Sequence, residues 1–273
     1  MGLAAALVLV IGGVTAGVVF AGRSGHHAHV ARSNSVATVV VNRNHAAAWI
    51  ARQVSPATMV SCDPVTCVVI ESHGFPASHV RALATGPGSP LSSDLIVATP
   101  PIRHQFGARL ASAYAPGLLA TFGSGPQQVD IRIVAPHGAA AYRSQLDADL
   151  QNRRMSGTGL SGSNRIQAPV TARKQLTAGQ VDSRLMITLA LMASLRPLHL
   201  VAFDDGGPDS AAAPFRSAQL SLTGGAEKQA MLAFLRVQRP PYQPAHVTTR
   251  RTARGRTVLV LQFAAPSPVG LLH

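Results

Sequence analysis

Apolar and polar positions alternate along this chain of 273 residues in short blocks, and the spacing of those blocks changes near residue 160. In the first half the blocks are brief apolar runs separated by helical periodicity. They predict strands over 57–62, 79–83, 94–99, 118–122 and 129–134, with helices over 44–53, 64–73 and 101–114. Strands alternating with helices imply crossover units, hence a mostly parallel sheet with helices on both faces. A charged helix over 139–154 then leads into the Gly/Ser-rich run SGTGLSGS (156–163), which reads as a hinge. Beyond it the order becomes α+β. Helices are expected over 171–178, 183–195 (capped by Asp182) and 226–237, strands over 198–203 and 217–222, and a hairpin over 245–263.

One block fits neither pattern. Residues 2–22 (GLAAALVLVIGGVTAGVVFAG) hold no charged side chain and are long enough to cross a bilayer. A cleaved signal peptide would show a basic start and a small-x-small cleavage site, both missing here, so the run reads as an uncleaved transmembrane anchor. The polar residues 23–43, with His26, His27 and His29, read as a flexible linker. The expected organisation is therefore an anchor (1–22), a linker (23–43), an α/β Rossmann-like domain (44–155) and an α+β domain (164–273).

Charge sets the choice of partners. Lys and Arg number 24 against 11 Asp and Glu, a net charge of +13, and only Lys174 and Lys228 are lysines. The cations are dispersed from Arg23 to Arg256, with the densest run (Arg250, Arg251, Arg254, Arg256) at the expected hairpin turn. A nucleic-acid reader concentrates its charge on one stripe, so nucleic acid is not an expected partner. A dispersed basic surface serves solubility, and beyond that attracts anionic lipid headgroups or envelope polymers. Aromatic residues make up 4% of the chain, too few for a stacking platform. Orientation is pulled two ways: the basic flank after the anchor points to a cytoplasmic body, the cysteine pair described next to an outside one.

The hexapeptide Cys62-Asp63-Pro64-Val65-Thr66-Cys67 contains the only two cysteines. Asp63 suits the N-cap of the following helix and Pro64 its first position. Cys62 and Cys67 then occupy the two positions that a hydrophobic staple brings together, within reach of a disulfide. The five-residue spacing is not that of a thioredoxin-like redox site, and two thiolates alone make a poor metal site. Other candidates stay at the level of turn chemistry. Asp204, Asp205 and Asp209 sit in a Gly/Pro-rich turn without a neighbouring His, and Ser124 lacks the spacing of a nucleophile elbow. No glycine-rich fingerprint precedes a helix. No cofactor, metal ligand or catalytic residue is expected.

The pieces AAAWIARQV (46–54), TMVSCDP (58–64), HGFP (73–76), SDLIVATPPIR (93–103) and LLATFGSGPQQVDIRIV (118–134), in that order, resemble the extracytoplasmic C-terminal domain of actinobacterial family 39-type membrane glycosyltransferases. The resemblance implies an accessory domain outside the membrane. The acidic catalytic residues of such enzymes lie in membrane loops that have no counterpart among these pieces, and the cysteine pair departs from the pattern. Residues 181–203 and 215–222 are more faintly similar to D-Ala-D-Ala-type metallopeptidases. Where that likeness implies zinc ligands, this chain has Arg216, Ser217 and Gln219. The expectation is a non-catalytic, single-pass, extracytoplasmic binding or accessory protein of the cell envelope. Its partners are the bilayer through residues 2–22 and either anionic envelope polymers or a membrane glycosyltransferase. The competing class is an envelope enzyme, a divergent cell-wall peptidase or a glycosyltransferase partner.

Overall fold

The computed structural model describes residues 25–83, 90–204, 213–251 and 255–272, with only the backbone for 25–36. The expected transmembrane segment lies outside these residues; among them, no helix is long and apolar enough to cross a membrane. The chain is α/β with two mixed five-stranded sheets, and both sheets belong to one compact unit, Thr38–His273.

The first element is α1 (Gly25–Gln53), so most of the expected linker is helical. From His26 to Gln53 there is neither glycine nor proline to interrupt it. The first sheet then follows: β1 (Val60–Cys62), α2 (Pro64–Ser72), β2 (Val80–Ala82), β3 (Leu95–Ala98), α3 (Pro100–Phe106), β4 (Gly117–Phe122) and β5 (Val129–Ile133). Gly74, at φ 93°, follows the end of α2, where only glycine adopts that conformation readily. The helix expected over 101–114 stops instead at Gly107 and resumes as one π-type turn, Leu110–Tyr114.

The strand order is β2-β1-β3-β5-β4. β1 pairs parallel with β2 and β3, whereas β5 is antiparallel to both β3 and β4. The sheet is thus mixed rather than mostly parallel: four strands share one direction and β5 runs against them. The physical cause is the connection. Only residues 123–128 separate β4 from β5, and a parallel crossover needs a dozen or more. Side chains of β3 alternate between two cores. Leu95 and Val97 join Ile50, Ile70 and Ile131 against α1 and α2, while Ile96 and Ala98 join Ile102 and Leu110 against α3.

The second sheet comprises β6 (Ile166–Gln167), β7 (Leu198–Asp204), β8 (Ser217–Ser221), β9 (His246–Arg251) and β10 (Thr257–Gln262), ordered β6-β7-β8-β10-β9. Only the β6–β7 ladder is parallel. Around it lie α4 (Ala139–Gly162), α5 (Val170–Thr177), α6 (Ser183–Leu195) and α7 (Gly225–Arg236). Leu185, Met186, Leu189 and Met192 of α6 are buried against Leu198, Leu220 and Leu259.

The Gly/Ser run read as a hinge is helical through Gly162. Its glycine serves packing: a Cβ at Gly157 would overlap the carbonyl oxygen of Leu176, so α4 and α5 meet backbone to backbone there. The C-terminal segment crosses to the first sheet. Ala265 joins that sheet's core and bridges to Val54, with Ala265 N donating to Gln53 O at 2.6 Å.

Candidate functional site

β1 has β2 on one side and β3 on the other, and the helices that leave β1 and β3 cover opposite faces. Between the carboxyl ends of those two strands the topology therefore switches direction, the place where open α/β sheets hold ligands. The sequence has built both exits alike. Asp63-Pro64 opens α2 and Thr99-Pro100 opens α3, each with an extended residue before a proline at the first helical position.

Asp63 joins the two exits. Its carboxylate accepts the backbone N–H of Thr66 at 3.1 Å, the Thr66 hydroxyl at 2.6 Å and the Thr99 hydroxyl at 2.6 Å. Arg43 on α1 donates through Nε to Thr66 Oγ1 at 2.7 Å and brings Nη2 within 3.9 Å of Asp63 Oδ1. Asp63 is 7% exposed, and Thr66 and Thr99 are fully buried. Burial by itself raises the Asp63 pKa. The hydrogen bonds from Thr66 and Thr99, then the Arg43 guanidinium, outweigh it and hold the carboxyl below the usual carboxylate range.

Cys62 and Cys67 form a disulfide across the same turn, with Cα atoms 5.5 Å apart, and both are buried in the core beneath α1 and α2. Three of the residues singled out from sequence, Cys62, Asp63 and Cys67, thus stand together, in the roles expected of them. Thr66, Thr99 and Arg43 were not singled out. Thr99 followed by two prolines carried a signal, since it repeats the cap-proline pattern of Asp63. Arg43 carried none, because nothing local places a residue of α1 over this turn.

Beside the turn lies an open crevice of about 570 Å3 lined by Asp63, Pro64, Leu83, Pro101, Ile102, His104 and Gln105. Among the described residues that line it, Asp63 is the one carboxylate and is already bonded on three sides, which leaves His104 as the one other titratable side chain of the crevice. Among the described residues, no three His, Cys, Asp or Glu side chains gather as a metal-binding group.

The other candidates are scattered. Asp204, at the end of β7, faces Arg250 at 3.8 Å on the surface, while Asp205 and Asp209 lie outside the described residues. Ser124 precedes a single helical turn. Arg216 is 1% exposed and donates Nη1 to Phe263 O at 3.1 Å, with its guanidinium 5.9 Å from the Trp49 ring. It is a packing element between the sheets.

A second buried acid was expected only as a cap. Asp182 does accept Arg184 N at 2.8 Å, but it also holds the Arg184 side chain through both carboxylate oxygens, at 3.0 and 2.7 Å. Burial opposes its ionisation; the hydrogen bond and charge of Arg184 prevail and lower its pKa. No protein-family model, curated protein or solved structure matches this chain.

Proposed function

We propose that this chain is a non-catalytic, single-pass binding or accessory protein of a bacterial cell envelope. Residues 2–22 tether it to the bilayer, and its body lies outside the cytoplasm. The observation that carries the reading is the buried Cys62–Cys67 disulfide, which engages the only two cysteines of the chain. Structural disulfides persist in oxidising compartments and are rare in the cytosol. The basic flank that argues for a cytoplasmic body is also weaker than the sequence suggests. Arg43 is spent inside the fold on Thr66 and Asp63 rather than beside the membrane.

Committing the switch-point carboxylate to three hydrogen bonds favours binding over acid–base chemistry. In this reading residues 44–155 are a Rossmann-like accessory domain and 164–273 an α+β domain. The resemblance of residues 46–134 to a glycosyltransferase accessory domain supports that role. The partners are anionic envelope polymers or a membrane glycosyltransferase, drawn by the net charge of +13, and not nucleic acid.

The test is topological. A reporter that is active only outside the cytosol, fused after His273, is expected to be active, and a non-reducing peptide map is expected to show Cys62 linked to Cys67. Activity only from a cytosolic reporter, together with two free thiols, would overturn the location and the function built on it.

A further inference from the structure

A cleft of about 790 Å3 opens where the two sheets meet, walled by the end of α1, the Gly74–Pro76 loop and the segment before β9. Pro56, Pro76, Pro240, Pro241 and Pro244 supply much of that wall, with Phe75 beside them. Prolines bring no N–H donor and little conformational freedom to lose, so the wall is rigid and apolar. Polar recognition falls to Arg52, Arg184 and His246, and among the described residues no carboxylate lines the cleft.

Arg184 is the built element. It is 7% exposed, stacked 5.2 Å from the Phe263 ring, and fixed by Nε and Nη2, which bond Asp182 and, at 2.8 Å, Ala264 O. Nη1 takes no part in that set. Asp182 neutralises the formal charge of Arg184, so what Arg184 offers is a donor held in one orientation. Arg52, exposed at the wall, adds the attraction for an anion, and His246, also exposed, stands beside it with Nε2 3.1 Å from Arg52 O.

We propose that this cleft binds an apolar organic anion by its carboxylate. Arg184 Nη1 donates to the carboxylate, Arg52 and His246 flank it, and the apolar body lies against the prolines and Phe75. A guanidinium N–H donates a charge-assisted hydrogen bond to a carboxylate oxygen, and the apolar wall favours an organic acid over a small inorganic anion. The inference rests on the reading of the chain as a binding protein and names the chemistry bound. Two sources share that chemistry, a small organic acid and the free C-terminus of a peptide.

The test titrates the full-length chain in nanodiscs, against empty nanodiscs, with hippurate and its neutral amide. A second pair of probes is N-acetyl-Ala-Ala-Pro-Phe as acid and as amide. At least one acid is expected to bind about tenfold or more tighter than its amide, the loss that goes with removing a charge-assisted hydrogen bond. A tighter peptide acid identifies a peptide terminus, and equal or tighter hippurate a small acid. Ala57→Trp, which places an indole at an exposed position of the cleft wall, abolishes binding at unchanged Tm. The double variant Arg52→Gln/His246→Gln weakens it several-fold. Acid and amide binding alike, acid binding that survives Ala57→Trp, or no acid bound to folded protein at about 10 mM, well above a millimolar Kd, would each overturn the proposal. The reporter result is independent: a cytosolic body that still binds hippurate would sink the location and leave the cleft standing.

Discussion

Reduction of the Cys62–Cys67 bond isolates one contribution to stability. The bond closes a short loop between residues five apart in sequence. On the chain-entropy account, opening a loop of this size frees the unfolded chain by about 2 kcal/mol. Reduction keeps both sulfurs in the chain, so it removes less buried volume than replacing them, although the two thiols must move apart. The double replacement Cys62→Ala/Cys67→Ala should cost more, by about 1 kcal/mol for each buried sulfur removed. In a unit of this size a kilocalorie moves Tm by about 2–4 °C, so reduction should lower Tm by about 4–8 °C.

The assay is thermal unfolding with and without reductant, with thiols counted on the same samples, and urea unfolding to show that m is unchanged. The reasoning also requires coupling, because the bond and the Asp63 cap restrain one turn. Asp63→Ala measured with and without the bond should show an interaction of about 0.5 kcal/mol or more. A Tm shift below about 1 °C after full reduction, or strict additivity of the two changes, would refute the account.

Three further outcomes follow from the buried groups. Asp63 and Asp182 bind protons less readily in the folded chain than in the unfolded one. Their stabilisation is therefore complete above the ordinary carboxylate range and is lost as pH falls through their lowered folded values. Urea midpoints from neutral to acid pH should fall accordingly, and Asp63→Asn should flatten part of that slope. Asp182→Ala leaves the Arg184 guanidinium buried without its counter-charge and should cost about 3–5 kcal/mol by urea unfolding, more than Asp63→Ala. Gly157→Ala should destabilise by about 1–3 kcal/mol, because the added methyl meets the Leu176 backbone. A hinge glycine would instead tolerate alanine or gain from it, so the sign of the Tm change decides.

The sequence was most legible where the interactions are local. Asp63 caps α2, Pro64 starts it, Gly74 ends it, and Cys62 meets Cys67, all within a dozen residues whose geometry is dictated by backbone donors and a short loop. Asp182 was legible as a cap for the same reason. The apolar run of α6 announced a core because burial of so many side chains on one helix has no other outlet in water. The apolar run 2–22 is likewise a property of the sequence alone.

Tertiary structure decided what composition misread. The Gly/Ser run is helical and its Gly157 lets α5 approach closely, and a small residue looks the same in a hinge and in a close contact. It also set the direction of β5, since pairing between β3 and β4 depends on strand order as well as on the short loop. Arg43 and Thr99 reached Asp63 from 20 and 36 residues away, and Arg184 met the carbonyl of Ala264 from 80. Such contacts depend on how sheets stack and chains cross, which local periodicity does not encode. The chain's own pattern determined its turns, caps and apolar segments; packing over long separations decided which polar groups would face one another.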